Sequence, residues 1–309
     1  MKIKSLFFFF LFLLNVFFTN AKQSFGNDSI KKGRIILVSS SLAVALGGSY
    51  LYIENSWWNE KQQGFHFDDG SDKVYALNVD KVGHFMGGLQ AADLFSESMR
   101  WAGMNKKQAL WFGATFGSGL QLAIEMKDAY APYWGFSTLD LTIGSAGAFL
   151  PIAKYYSPKL RVFDAKISYW KQHNTYWDLE RQRGKNPNKY AWQDDYVNQT
   201  YWISIDLNHV NEKIPEWLNV AIGFGLDDTQ YLPGWDEDTQ SFDASIPNAG
   251  TKTGGQNEWY IALDYDIPKM LKRWNSPIVK KIKHWLNYFH FPAPTIRISP
   301  KTEFYPLFL

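Results

Sequence analysis

The hydrophobic period of this 309-residue chain changes once, and that change decides the class of fold. Up to residue 156 the apolar side chains fall in long stretches of helical character. Beyond about residue 199 they alternate with polar ones at every second position. Tyr201, Ile203, Ile205 and Leu207 share one face of a strand over 201–207, and Leu218, Val220, Ile222, Phe224 and Leu226 share one over 217–226. Trp259, Ile261, Leu263, Tyr265 and Ile267 give a third alternation, and 294–309 reads as a final extended piece. A period of two marks strands of a half-buried antiparallel sheet. Four strands are too few for a closed outer-membrane barrel, which takes at least about eight. The expected class is α+β: an N-terminal, membrane-associated bundle of about four helices, then a small antiparallel β-rich region.

The helices are expected over 35–53, 81–102, 106–127 and 138–156. The first carries Lys31, Lys32 and Arg34 before it and Trp57-Trp58 after it, the basic flank and aromatic belt of a membrane span. A buried core helix would have the same apolar content. Gly103 suits a C-cap, Pro132 lies in the loop 129–136, and Pro151 is expected to kink or shorten the fourth helix. Residues 59–78, with their Gly and Asp clusters, read as a loop. Residues 157–198 turn polar and read as a linker between a helical domain (30–156) and a β-rich one (199–309). Within the latter, 270–289 interleaves Lys272, Arg273, Lys280, Lys281 and Lys283 with Trp274, Trp285, Tyr288 and Phe289. Such an amphipathic helix suits an anionic lipid surface, or covers one face of the sheet with its lysines in water.

The N-terminus explains why a membrane enters the reading. Lys2 and Lys4 precede the apolar run 6–18, and Thr19-Asn20-Ala21 follows with small residues. That is the order of a secretory signal peptide, here 1–21, and the run is too short to cross roughly 30 Å of hydrocarbon. Export to the bacterial cell envelope, facing the periplasm and associated with a membrane, is expected. The sequence has no Cys, which removes disulfides, thiol nucleophiles and an N-terminal lipid on cysteine. A net charge of +2 excludes the concentrated basic field of a nucleic-acid binder. A membrane or lipid surface is the expected partner; a protein partner and the oligomeric state are left open.

One set of residues could carry chemistry. Asp80, Lys81 and His84 are three and four apart and approach one helical face. Gly113, Gly117, Gln121 and Glu125 recur every four residues, so the polar pair lies on a small-residue stripe that brings helices close. Asp128 adds a carboxylate. Ser137, Asp140, Gly144 and Gly147 repeat the arrangement on the fourth helix, so three stripes converge on one polar interior. Each element also has a structural reading. Asp80 fits an N-cap, Ser137 to Asp140 fits a capping box, and Lys81 could neutralise Glu125 or Asp140 as an ion pair. Burying several ionisable groups is costly unless they pair or work.

Asp-Lys-Val-Gly-His-Phe at 80–85, Glu-Met-Lys-Asp at 125–128 and Ser-Thr-Leu-Asp-Leu-Thr-Ile-Gly-Ser-Ala-Gly at 137–147 resemble the YfiM-like family of predicted periplasmic proteins. They are more distantly similar to VanZ-like membrane proteins, with Gly144 standing where the VanZ-like pattern usually has Asn. The resemblance covers about residues 75–155 and implies an envelope protein of unassigned activity.

Two functions follow. The first is an envelope protein that binds an amphiphilic ligand or partner through its bundle, with Asp80, Lys81, Asp128 and Ser137 among the contacts. The second is a membrane-surface hydrolase or transferase. There His84 is general base, Glu125 and Asp128 hold a cation or shuttle protons, and Asp140 orients His84. It lacks an evident nucleophile, because Ser137 is better explained as a cap. Nothing in the sequence names a cofactor or a metal. His66-x-Asp68-Asp69 and the acidic loop 227–243 lack the ordered spacing of a calcium loop. No phosphate loop, nucleophile elbow or zinc helix is present.

Overall fold

A computed structural model describes residues 31–54, 61–73, 75–132, 134–171, 195–227, 235–236, 241–242 and 256–308. The expected signal peptide lies outside them, as do 172–194 and most of the acidic loop. Four long helices come first: α1 (Lys32–Glu54), α2 (Val79–Trp101), α3 (Lys106–Asp128) and α4 (Thr138–Tyr156). Local chemistry sets their ends. Gly103, at φ +104°, closes α2 with its N–H on the Arg100 carbonyl. Asn105 caps α3 by accepting from the Gln108 N–H, and Ser137 caps α4 by accepting from the Asp140 N–H. Pro151 removes one helical donor but does not end α4, which runs on to Tyr156.

α2, α3 and α4 pack closely, and glycine makes the approach. A Cβ on Gly147 of α4 would stand 1.9 Å from the Phe85 carbonyl oxygen of α2, inside any van der Waals contact. A Cβ on Gly144 would fall 2.7 Å from the Gln121 side chain, which occupies that space instead. α1 is attached lightly. Val38 and Leu42 rest on the Phe95–Met99 group, Arg34 Nη1 donates to the Trp101 carbonyl, and Lys127 Nζ reaches Tyr50 and Glu54. Among the described helices α1 is the one long and apolar enough to cross a membrane, and its Ile36, Leu37, Val44 and Leu51 side chains are exposed.

The C-terminal half is a six-stranded antiparallel sheet. Its strands, in their order across the sheet, are β1 (Phe163–Tyr169), β2 (Gln199–Asp206), β3 (Leu218–Leu226), β6 (Asn257–Tyr265), β7 (Ala293–Ser299) and β8 (Glu303–Phe308). A two-stranded ribbon, β4 (Trp235–Asp236) with β5 (Ser241–Phe242), lies between β3 and β6 in the chain. The class is α+β, as the change of period requires. β1 lies inside the segment read as a linker. Its alternation of Phe163, Ala165, Ile167 and Tyr169 is interleaved with Lys166 and Ser168, which look like solvated residues and are buried. The piece read as one extended segment from 294 is two strands, turning at Ser299-Pro300.

The free edge of β1 is also paired. Ile167 N–H donates to the Tyr288 carbonyl and His290 N–H donates to the Ile167 carbonyl, a parallel bridge made just before the chain enters β7. The sheet therefore curls toward closure, and its concave face buries polar residues beside a cluster of Trp202, Ala221, Tyr260 and Ala262. Lys166 Nζ is 2.7 Å from Asp264 Oδ2, and Asp264 Oδ1 is 3.0 Å from His290 Nδ1. The His290 ring stacks on Trp202 at 3.9 Å, Trp202 Nε1 donates to Ser168, and Asn219 donates to Ser204. The period-2 reading grouped the apolar residues of β2, β3 and β6 on one face, while Ile267 lies past β6 and is buried. That face is the outer one, apart from Tyr201 and Leu226, which pack on the helical bundle.

After β6 come the short helix α5 (Ile267–Met270) and α6 (Pro277–Leu286), the amphipathic segment expected near 270–289. α6 links the two halves. His284 and Tyr288 both contact Asp93 Oδ2 of α2, at 2.5 and 2.7 Å. A second junction is apolar: Ala76, Leu77, Val79, Met86 and Leu89 pack with Tyr196, Val197, Tyr201 and Leu226.

Candidate functional site: a buried carboxylate cluster around His84

α2 enters the site through a strained turn. Ala76, Leu77 and Asn78 all have positive φ (46°, 51° and 66°), a conformation that costs roughly 1–2 kcal/mol per non-glycine residue. Burial of Ala76 and Leu77 holds the turn, and Asn257 Nδ2 donates to the Leu77 carbonyl. The turn delivers Asp80 and Lys81 into the interior on the first turn of α2. Asp80 is thus inside the helix and is not its cap; that place belongs to Asn78.

Lys81 is the hub. Its ammonium lies 2.5 Å from Asp72 Oδ1, 2.7 Å from Asp80 Oδ2 and 2.9 Å from Asp140 Oδ1. Burial alone would lower the Lys81 pKa, but Asp80, Asp140 and Asp72 outweigh it and hold the group firmly protonated. Asp72 is likewise pulled below the usual carboxylate range by Lys81 against the effect of its burial. Asp80 is pushed well up by burial and by the neighbouring Asp140 and Asp72 charges, with Lys81 opposing. Its Oδ1 has no hydrogen-bond partner among the described residues.

His84 stands one turn further along α2. Its Nδ1 is 2.9 Å from Gln121 Oε1 and 3.9 Å from Glu125 Oε1, and its Nε2 is 3.8 Å from Asp140 Oδ2. With Gln121 accepting from Nδ1–H, the neutral ring carries its lone pair on Nε2. The His84 side chain is 19% exposed, whereas those of Glu125 and Asp140 are 2% and 6% exposed. The imidazole is the part of this trio that meets the outside.

Glu125 is the other distinctive group. Ser137 N–H donates to its Oε2 at 2.9 Å, which takes the place of the return bond in a capping box, while Oε1 accepts no hydrogen bond among the described residues. Burial, then the charges of Asp128 and Asp140, push its pKa up to about 9, so it holds a proton at neutral pH. Asp140 is raised too, by burial against the pull of His84 and Lys81. Ser137 is fully engaged, its hydroxyl donating to Asp72 Oδ2 at 2.6 Å and accepting from the Asp140 N–H. Asp128 ends α3 half-buried and acts on Glu125 through its charge.

The structure therefore brings together His84, Glu125, Asp140, Asp80, Lys81 and Ser137, with Asp128 at the margin. Lys81 neutralises Asp140 and not Glu125. Oxygens of Asp80 and Asp140 and a ring nitrogen of His84 lie within 4.8 Å of one another, a spacing a small cation could use. The Lys81 ammonium, in contact with both carboxylates, already supplies positive charge there. Asp72 was not foreseen, because it lies in the non-periodic segment read as a loop. Gln121 was placed on the interior stripe, but its bond to His84 has no sequence signature.

Residues 66–155, under a third of the chain, match the family described as predicted periplasmic lipoprotein (DUF2279). The match spans the whole cluster. An exported, envelope-located and membrane-associated protein accords with that description, and the family has no assigned activity. This sequence contains no cysteine to carry a lipid. No curated protein and no solved structure matches the chain.

Proposed function

We propose that this envelope protein carries an acid–base centre of the hydrolase or transferase type, acting on an amphiphilic envelope molecule that reaches His84. Within the matched family we read the segment as YfiM-like, with VanZ-like proteins as more distant relatives. The observation that carries the proposal is one partly open imidazole among sealed carboxylates, its Nδ1 fixed by Gln121 and its Nε2 turned toward Asp140. His84 takes a proton through Nε2 from an incoming hydroxyl, whether water or a substrate alcohol. Asp140 stabilises the imidazolium that results, and Glu125 keeps a proton in reserve beside the ring. Buried acids with displaced pKa values next to a base are a recurrent mark of catalytic sites.

One observation favours the alternative, a binding site for the same class of molecule. The Ser137 hydroxyl, a candidate nucleophile in the cluster, is committed to Asp72 and to the helix cap. Incubating wild type, His84→Gln and Glu125→Gln with an envelope lipid extract and following products by mass spectrometry separates the two. Turnover by wild type, lost in His84→Gln and reduced in Glu125→Gln, is the expected result. Retention of one lipid species by all three proteins with no product would overturn the acid–base reading in favour of binding.

A further inference from the structure

We propose that the outer face of the C-terminal sheet lies against the hydrocarbon of an envelope membrane. The strand registers align Ile203 with Ile222, Ile222 with Ile261, Ile261 with Ile296, and Ile296 with Phe304. That is one apolar row across five strands, and its members are 54, 42, 44, 44 and 62% exposed. Leu263 and Ile298, also exposed, widen it. Single exposed apolar residues are ordinary, but a contiguous patch of this kind marks a contact.

The opposite face identifies the contact. The same strands bury Asp264, Ser204, Asn219 and Thr295 inside the curl, together with Lys166 of β1 and beside the Trp202, Ala221, Tyr260 and Ala262 cluster. A sheet folded for water keeps its charges outward and its isoleucines inward; this one turns Lys166 and Asp264 in and Ile203, Ile222, Ile261 and Ile296 out, as lipid-facing sheets do. The borders agree. Trp217 and Tyr265 pair at one end of the face and Phe224 and Trp259 at the other, with ring centroids 6.2 and 4.7 Å apart. Along β6 the order is Trp259, Ile261, Leu263, Tyr265, aromatic at both ends and aliphatic between. Six residue steps at about 3.3 Å make a band of roughly 20 Å, near the ~25 Å of membrane barrels.

α6 repeats the inversion. Lys283 is buried, donating to the Leu271 carbonyl, while Ile278 and Ile282 point outward. Exposed Lys272, Arg273, Lys280 and Lys281 then suit anionic headgroups.

The absence of cysteine makes the test clean. In the full chain, Ile222→Cys, Ile261→Cys and Ile296→Cys each give one spin-label site, with Lys213→Cys in the exposed β2–β3 turn as reference. The labelled proteins are bound to phosphatidylethanolamine–phosphatidylglycerol vesicles and checked for wild-type circular dichroism. Collisions with oxygen, which concentrates in hydrocarbon, are compared with those of a water-soluble nickel chelate. The three isoleucine sites should favour oxygen, and Lys213 should invert that ratio. Preference for nickel at the isoleucine sites would place the face in water. Shielding from both reagents would mean that protein covers it, a second copy included. Either outcome overturns the proposal, and neither bears on His84.

Discussion

Replacing Lys81 by Met is expected to cost about 3–5 kcal/mol of stability, the loss that follows removal of one partner from a buried ion pair. Three carboxylates depend on that ammonium: Asp72 at 2.5 Å, Asp80 at 2.7 Å and Asp140 at 2.9 Å. Without it, the first turn of α2 and the N-terminus of α4 hold like charges with no counter-ion. Such a loss is a large share of the roughly 5–15 kcal/mol that keeps an ordinary domain folded. The direction with pH is also fixed. Protonation relieves stranded carboxylates, so Lys81→Met should regain more stability on mild acidification than wild type does, since the gain from the raised Glu125 carboxyl is common to both. Denaturant unfolding followed by circular dichroism at neutral and acidic pH measures both effects. A variant that unfolds with wild type at neutral pH would mean the cluster is not dry.

The second large effect is steric. Gly147→Ala places a methyl group 1.9 Å from the Phe85 carbonyl, and both atoms are held by helix backbone. α2 and α4 must separate, at a cost of about 3 kcal/mol, the upper part of the usual range for overpacking. Because Phe85 follows His84, the His84–Asp140 contact at 3.8 Å should open as well, so activity or binding falls with stability. Gly119→Ala is the control. It lies on α3 with nothing within 4 Å of the added carbon, and should gain roughly 0.5–1 kcal/mol from helix propensity. If both substitutions behave alike, the close approach of α2 and α4 is not what holds the site.

The small-residue stripes made this interior legible. Spacings of three and four placed His84, Glu125 and Asp140 on facing surfaces, and glycines at 144 and 147 located the crossing that brings them together. Asp72 was not legible. It is turned into the cluster across a run of left-handed residues, Ala76-Leu77-Asn78, and neither Ala nor Leu announces that conformation. The sheet has a related lesson. Alternation showed which residues of β2, β3 and β6 share a face, but a period of two is the same whether that face meets a core or a membrane. β1 was missed for the same reason: Lys166 and Ser168, the residues that made 163–169 look solvated, are the ones turned inside.

The most direct test of the acid–base centre is the protonation state of Glu125. Its folded pKa, about 9, stands well above its ordinary 4.5. A raised carboxyl stabilises the fold while both states are protonated, and that contribution is lost as pH rises from about 4.5 through about 9. Glu125→Gln keeps the shape and neutrality of the protonated acid, so its stability should decline less over that interval. The infrared difference spectrum of wild type against Glu125→Gln reads the proton itself. The expected result is a protonated-carboxyl C=O band at neutral pH, absent from the variant and fading as pH passes about 9. A wild-type spectrum with only carboxylate bands at neutral pH would show Glu125 already ionised, and would contradict the centre described here.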